Sequence, residues 1–388
     1  MKHLPGATLA CQNDLPPRHS SHFSTRMCSA ASSVCLSADL LPRVTAFQNG
    51  VHHDVVPLIR ALHRTAADDE NDALTGFRKV LGDWLKVHCA DRLPDVITMV
   101  PAMLPMVTDY AATVGDIELL EMIWNKCPRS ENSNDEGAAL VYVAALAGQV
   151  DMVAFLLSQI DATDACGRAI SHAMVGAASK GHLRVVEYLH RHRHDRQTTD
   201  LMDVAASQGH LSVVEFLHLH RREGCTTAAM DRAAGNGHLD VVKFLHAHRR
   251  EGCTKAAISL AAAGGHLHVV QWLCDHRKEG WHGDALTHAA AGGHVDILAF
   301  LLQKRPRAGC LVLGMDLAAT NGHLDVVKFL HTHRKDGCSD KALAGALRNG
   351  HTHVVAYFLK HGDDLIHGVC CACGFNKPRR HACLVKSM

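Results

Sequence analysis

The dipeptide Gly-His begins at residues 181, 209, 237, 265, 293, 322 and 350, at intervals of 28, 28, 28, 28, 29 and 28. A catalytic motif normally occurs once, whereas a structural unit is copied. A fixed period between about 20 and 50 residues marks a stack of repeats in which each unit packs on its neighbours. Such a stack lengthens without adding separate cores, so 388 residues do not translate into two or three globular domains. With 47 % apolar and 20 % charged residues, most of the chain is expected to fold. Two related turns, at Gly115-Asp116 and Gly148-Gln149, precede Gly181-His182 at intervals of 33.

The stretch Gly224 to Glu251 shows how one unit works. Thr226 is placed to cap a helix, its hydroxyl accepting from a free backbone N–H. The first helix is predicted from about Thr227 to Asn236, with Ala229, Met230, Ala233 and Ala234 on one face. Gly237 ends it, where a left-handed residue is needed. The second helix is predicted over Asp240 to about His248, with Val241, Val242, Phe244 and Leu245 as its buried stripe. Helices of some ten residues are too short to be stable alone, so stability must come from stacking.

The run Ala233-Ala234-Gly235-Asn236-Gly237-His238-Leu239-Asp240-Val241-Val242-Lys243-Phe244-Leu245, nearly repeated from Ala318 to Leu330, resembles the ankyrin repeat. The resemblance implies an all-α helix-turn-helix solenoid that serves as a protein-binding scaffold. The family's units run about 33 residues with a β-hairpin finger between them. Here only 15 residues separate Gly237 from Gly252, so the fingers are expected to be shortened or missing.

Four regions follow. Residues 1–39, rich in Ser, Pro and His and poor in acids, read as a flexible leader, with a targeting segment as the rival reading. Residues 40–102 read as a helical N-terminal segment containing a degenerate copy of the unit at 46–56. Residues 103–362 hold about nine units, and residues 363–388 form a tail rich in Cys and basic residues.

Composition narrows the function classes. A net charge of +1 and 5 % aromatic residues disfavour a nucleic-acid-binding surface. The longest apolar run, Val96 to Val107, contains Pro101 and Pro105 and is too short for a membrane span. The 15 cysteines without a secretory signal point to free thiols in a reducing compartment, the cytoplasm, with the nucleus as an alternative. No P-loop, nucleotide-type glycine fingerprint or nucleophile elbow is present, so neither an enzyme nor a cofactor is expected.

Several repeated features invite chemistry and have simpler explanations. The Gly-His histidines recur at one place in every unit, which suits a turn residue bonded to backbone better than a ligand row. A His-x-His pattern at 190/192, 218/220, 246/248 and 331/333 places its two rings on different faces of a helix, a poor chelate for one ion. Basic doublets such as Arg221-Arg222 and Arg249-Arg250 suit helix C-termini, and Glu223 and Glu251 follow to offset them. Cys225, Cys253, Cys310 and Cys338 read as small buried residues. The one unrepeated cluster is Cys370, Cys373, His381 and Cys383, four zinc-type ligands in the tail.

On an ankyrin-like stack the first helices line the concave side. Positions there that change from unit to unit include Asp203, Asp231, Arg232, Ser259, His288 and Asp316, and these are the candidate partner-binding residues. The leading expectation is a monomeric, non-enzymatic scaffold that binds a partner protein on this face. The alternatives are a substrate adaptor for a larger complex such as a ubiquitin ligase, or a metal- or nucleic-acid-binding protein acting through the tail.

Overall fold

A computed structural model describes residues 47–48, 51–65, 70–127, 133–160, 164–192, 199–281, 283–306, 311–334 and 337–365. The chain divides into two compact units, Met1–Val107 and Thr108–Met388.

In the first unit, two short strands, β1 (Phe47–Gln48) and β2 (Val51–His52), pair antiparallel, with Phe47 opposite His52 and Gln48 opposite Val51. These strands fall within the segment 46–56 that the sequence reads as a degenerate copy of the unit. Helices α1 (Val56–Thr65), α2 (Glu70–Val87) and α3 (Leu93–Met99) follow. Phe77, Leu81 and Trp84 recur along one face of α2 and are buried, with Leu58 of α1 and Leu93 and Ile97 of α3 also in the core. A polar knot ties these elements. Trp84 Nε1 donates to the Asp54 carbonyl at 2.9 Å. The Asp54 carboxylate meets Arg92 Nη1 at 2.7 Å and His88 Nε2 at 3.2 Å.

The remaining helices run in pairs, each joined by a turn with a glycine at positive φ. The pairs are α4 (Leu104–Val114) with α5 (Ile117–Lys126), α6 (Ser133–Leu146) with α7 (Val150–Ser158), and α8 (Asp164–Lys180) with α9 (Leu183–Arg191). Next come α10 (Asp200–Ser207) with α11 (Leu211–His220), α12 (Thr227–Gly235) with α13 (Leu239–His248), and α14 (Ala256–Ala263) with α15 (Leu267–His276). The last are α16 (Asp284–Gly292) with α17 (Val295–Lys304), α18 (Val312–Thr320) with α19 (Leu324–His333), and α20 (Asp340–Arg348) with α21 (Thr352–Leu365). The second unit is thus an all-α solenoid of paired helices, and its described residues contain no strand where fingers would stand.

Small residues set the stacking distance. The alanine pairs 205/206, 233/234, 261/262, 289/290 and 318/319 are wholly buried on successive first helices. Val213, Val214 and Leu217 of α11, and their counterparts in later second helices, fill the layer beneath. Burying each such side chain contributes roughly 1.5–3 kcal/mol. Phe244, expected in that stripe, is only half-buried, because its ring lies along the helix end against His248. The units with a 33-residue period spend their additional length on the first helix: α6 has 14 residues and α8 has 17, against 8 to 9 in α10 to α16.

Candidate partner-binding face

Three kinds of side-chain link hold one unit to the next, and they account for most of the conspicuous residues. The first is the Gly-His turn. Gly181 adopts φ +76°, and the ring of His210, one unit later, lies directly over it. A Cβ at Gly181 would sit 2.5 Å from His210 Nδ1, so glycine is required both by the backbone angle and by the ring. His210 Nε2 bonds the Ser179 carbonyl at 3.1 Å, as His182 Nε2 bonds Leu146 O at 3.0 Å and His294 Nε2 bonds Ala263 O at 3.1 Å. In the unit before these, Gln149 takes the place of the histidine, donating from Nε2 to Thr113 O at 3.1 Å. The turn histidines bond backbone, as the sequence predicts, but the backbone belongs to the preceding unit.

The second link is a buried carboxylate. Asp203, Asp231 and Asp316 are 5 %, 7 % and 6 % exposed. Asp231 accepts from Thr254 N at 2.7 Å and from its hydroxyl at 2.6 Å. Asp203 takes the same two bonds from Thr226, at 2.8 and 2.5 Å, and Asp316 from Ser339, at 2.8 and 2.5 Å. Thr226 and Ser339 also cap the next first helix, accepting from Ala228 N and Lys341 N. Burial pushes the Asp316 carboxyl up, and the bonds from Ser339 only partly offset this.

The third link covers the loop glycines. Arg277 lies over Gly252, which has φ +74°, and pairs with Glu279 two residues on, its Nε reaching Oε2 at 3.2 Å. Arg249 and Glu251 repeat the pair over Gly224, and Glu251 Oε1 accepts from Cys225 N at 3.3 Å. Burial pushes the Glu251 carboxyl up, but the Arg249 hydrogen bond, backbone N–H groups and the Arg249 charge outweigh it and bring it down to about 2. The first cation of each doublet is therefore consumed inside the stack, which leaves Arg222, Arg250 and Lys278 exposed.

Of the six residues expected on a partner-binding face, Asp203, Asp231 and Asp316 are internal links and Ser259 is buried. Arg232 and His288 are exposed, and Leu260, at the aligned position between them, is 42 % exposed. Sequence comparison within the chain carried a signal that separates the two groups. Asp203, Asp231 and Asp316 each have a Thr or Ser 23 residues later, whereas Ser259 and Thr287 are followed at that distance by His282 and Cys310. A carboxylate that changes together with a hydroxyl at fixed spacing is a bonded pair, not a variable surface. Further along the same face, Ala138, Ala139, Tyr142, Arg168, His172 and Val175 line a groove of about 550 Å³ between α6 and α8.

The second helices end in a ladder of rings. His220, His248, His276 and His333 stack on the aromatic residue four positions earlier, at centroid distances of 4.3–4.4 Å. Each bonds through Nδ1 to that residue's carbonyl at 2.9–3.0 Å. The inner histidines face the next unit: His218 meets Phe244 edge-on at 5.6 Å, and His246 meets Trp272 at 5.1 Å while accepting from Arg277 Nη1 at 3.1 Å. Among the described residues no group of three or more His, Cys, Asp or Glu side chains is arranged to hold a metal ion. Cys225, Cys253 and Cys338 are buried, and desolvation pushes their thiols up to about 11, 11 and 12. Cys370, Cys373, His381 and Cys383 lie outside the described residues, as does Cys310. No helix among the described residues is long and apolar enough to cross a membrane.

No curated protein matches the chain. The family model for ankyrin repeats (3 copies) matches residues 174–256 and 230–310. Those matches span α9 to α17 and every kind of link described above. Residues 174–310 have the ankyrin-repeat fold, that of a non-catalytic scaffold which generally mediates protein–protein interaction.

Proposed function

We propose that the stack binds a partner protein on the face lined by its first helices, with Arg232, Leu260 and His288 among the contact residues. One observation carries this reading. At the aligned positions 204, 232, 260, 288 and 317 the side chains are Val, Arg, Leu, His and Leu, while the alanines one and two positions later are unchanged and wholly buried. A surface that differs in size, polarity and charge from unit to unit over a constant frame is suited to reading one partner by shape and polar complementarity. The test is proximity labelling with the intact protein and an Arg232→Glu/His288→Glu variant. The expected result is loss of a defined set of labelled proteins at unchanged protein level. Full recovery of every labelled protein by the variant would rule out this face.

The adaptor reading is favoured by the division of the chain into two compact units, each with its own buried side chains. The first unit exposes Val87 at 78 % and Met99 at 53 %. If the two units serve different partners, Val87→Glu/Met99→Glu removes one set of labelled proteins and Arg232→Glu/His288→Glu removes another. Loss of the same set by both pairs would leave a single binding function.

A further inference from the structure

We propose that the groove between α6 and α8 docks an acidic peptide segment of a partner protein. An apolar side chain of that segment fills the groove, and a carboxylate within about one turn of it is held by Arg168 and His172. This rests on the scaffold reading and adds to it which units bind and what chemistry they select.

The groove exists because these two units lengthen their first helices where the others do not. Ala138 and Ala139 are too small to fill the space they face, and the groove's volume of about 550 Å³ accommodates one or two large side chains. Tyr142 forms one wall and is 41 % exposed. Its ring is held close to α8 by Gly176, where a Cβ would come within 2.9 Å of Tyr142 Cε2. The position of the wall is therefore built into the backbone.

Charge selects the occupant. Arg168 and His172 stand one turn apart on α8, both exposed and both lining the groove. Neither has an ion-pair partner among the described residues, whereas Arg221, Arg249 and Arg277 are each paired with a glutamate. An apolar floor with a tyrosine wall and an exposed arginine at its edge matches the composition of protein–protein hot spots. A basic segment would be repelled by the Arg168 guanidinium, while an acidic one gains a bidentate arginine contact.

The test starts by panning the full-length protein against a phage-displayed library of random 16-residue peptides. Recovered peptides are synthesised and titrated by fluorescence polarisation against the wild type and against Ala139→Arg, Arg168→Glu and Arg232→Glu/His288→Glu. All four positions are exposed, so the variants are expected to melt within a few degrees of the wild type. The expected result is a consensus with Asp or Glu within four residues of Leu, Phe or Trp. Ala139→Arg and Arg168→Glu are expected to weaken binding at least tenfold, and each to weaken it more than the double variant does. A peptide with Lys in place of its acid recovers binding to Arg168→Glu. The groove proposal is overturned by a basic or uncharged consensus, by unchanged affinity for Ala139→Arg and Arg168→Glu, or by a library that yields no binder. Peptides lost only on the double variant would sink the groove and leave the scaffold reading standing. A wild type that is dimeric in sedimentation and becomes monomeric on Ala139→Arg would give the groove to a second copy of the chain, which also overturns it.

Discussion

At the scale of the residue, the side chains that look most available turn out to be the most committed. Asp231 is charged, variable along the repeat and on the first helix, yet it is buried with both carboxylate oxygens bonded to Thr254. Replacing it with alanine strands the Thr254 N–H and hydroxyl, at a cost of about 1–3 kcal/mol. We expect Asp231→Ala to lower the unfolding free energy measured in urea by that amount, and Asp231→Ala/Thr254→Val to lose less than the sum of the two single changes. The turn pair offers a sharper cycle. Gly181→Ala is strained by its φ of +76° and by the His210 ring. If ring and glycine are matched, His210→Ala removes some of the penalty of Gly181→Ala, and equilibrium unfolding of the four proteins in the cycle shows a coupling above about 0.5 kcal/mol. A zero coupling would reduce the Gly-His dipeptide to a backbone turn.

At the scale of the element, the second helices α11, α13, α15 and α19 end in a ladder of rings, and burial opposes a charge on its inner His218. Burial lowers the pKa of His218 from 6.5, and Arg249 and His248 act in the same direction while Glu251 opposes them. Its Nδ1 is buried and makes no hydrogen bond. His266 is lowered from 6.5 as well, first by burial and then by His268, His238 and His294, against the Gly235 carbonyl. Because the unfolded chain takes up these protons first as pH falls, the stability involved is complete above pH 6.5 and is lost as pH drops through the lower folded values. The melting temperature is expected to fall between about pH 7 and pH 5. His218→Leu is expected to flatten that slope, since Leu359 occupies the aligned position in α21. Glu251 works in a separate window: lowered to about 2, it contributes stability above its ordinary value of 4.5 that is lost only as pH falls through about 2. The buried thiols give a further check on the same packing. Thiols raised to about 11 to 12 carry roughly a hundredfold to a thousandfold less thiolate at pH 8 than one at 9.0. Iodoacetamide is therefore expected to label exposed Cys89 well before Cys225, Cys253 and Cys338, as read by mass spectrometry.

At the scale of the whole molecule, position in the stack decides what an aligned residue does. Ala319 is wholly buried against the next first helix, while Leu347, 28 residues later in the last pair, is 47 % exposed. Ala319→Asp is expected to cost several kcal/mol and Leu347→Asp to stay within about 0.5 kcal/mol, measured by urea unfolding. Much of this stack was legible in the sequence: the period, the helix pair, the Thr226 cap, the left-handed Gly237, the alanine seam and the buried cysteines all follow from local spacing and side-chain size. The shared position of Asp203, Asp231 and Asp316 was legible too, but their burial was not, because it depends on hydroxyls 23 residues away in the next unit. The short β1–β2 pair was missed because a Gln-Asn-Gly segment followed by alternating residues is compatible with either turn. The groove beside Tyr142 was also missed, since a lengthened helix and a flat ring over Gly176 leave no periodic signature. By itself the sequence determined that the repeated part of this chain is a stack of paired helices, because short-range periodicity and glycine placement depend on neighbours along the chain. Only the tertiary structure decided which variable residues are surface and which are mortar, because burial is set by contacts between units that the linear order does not contain.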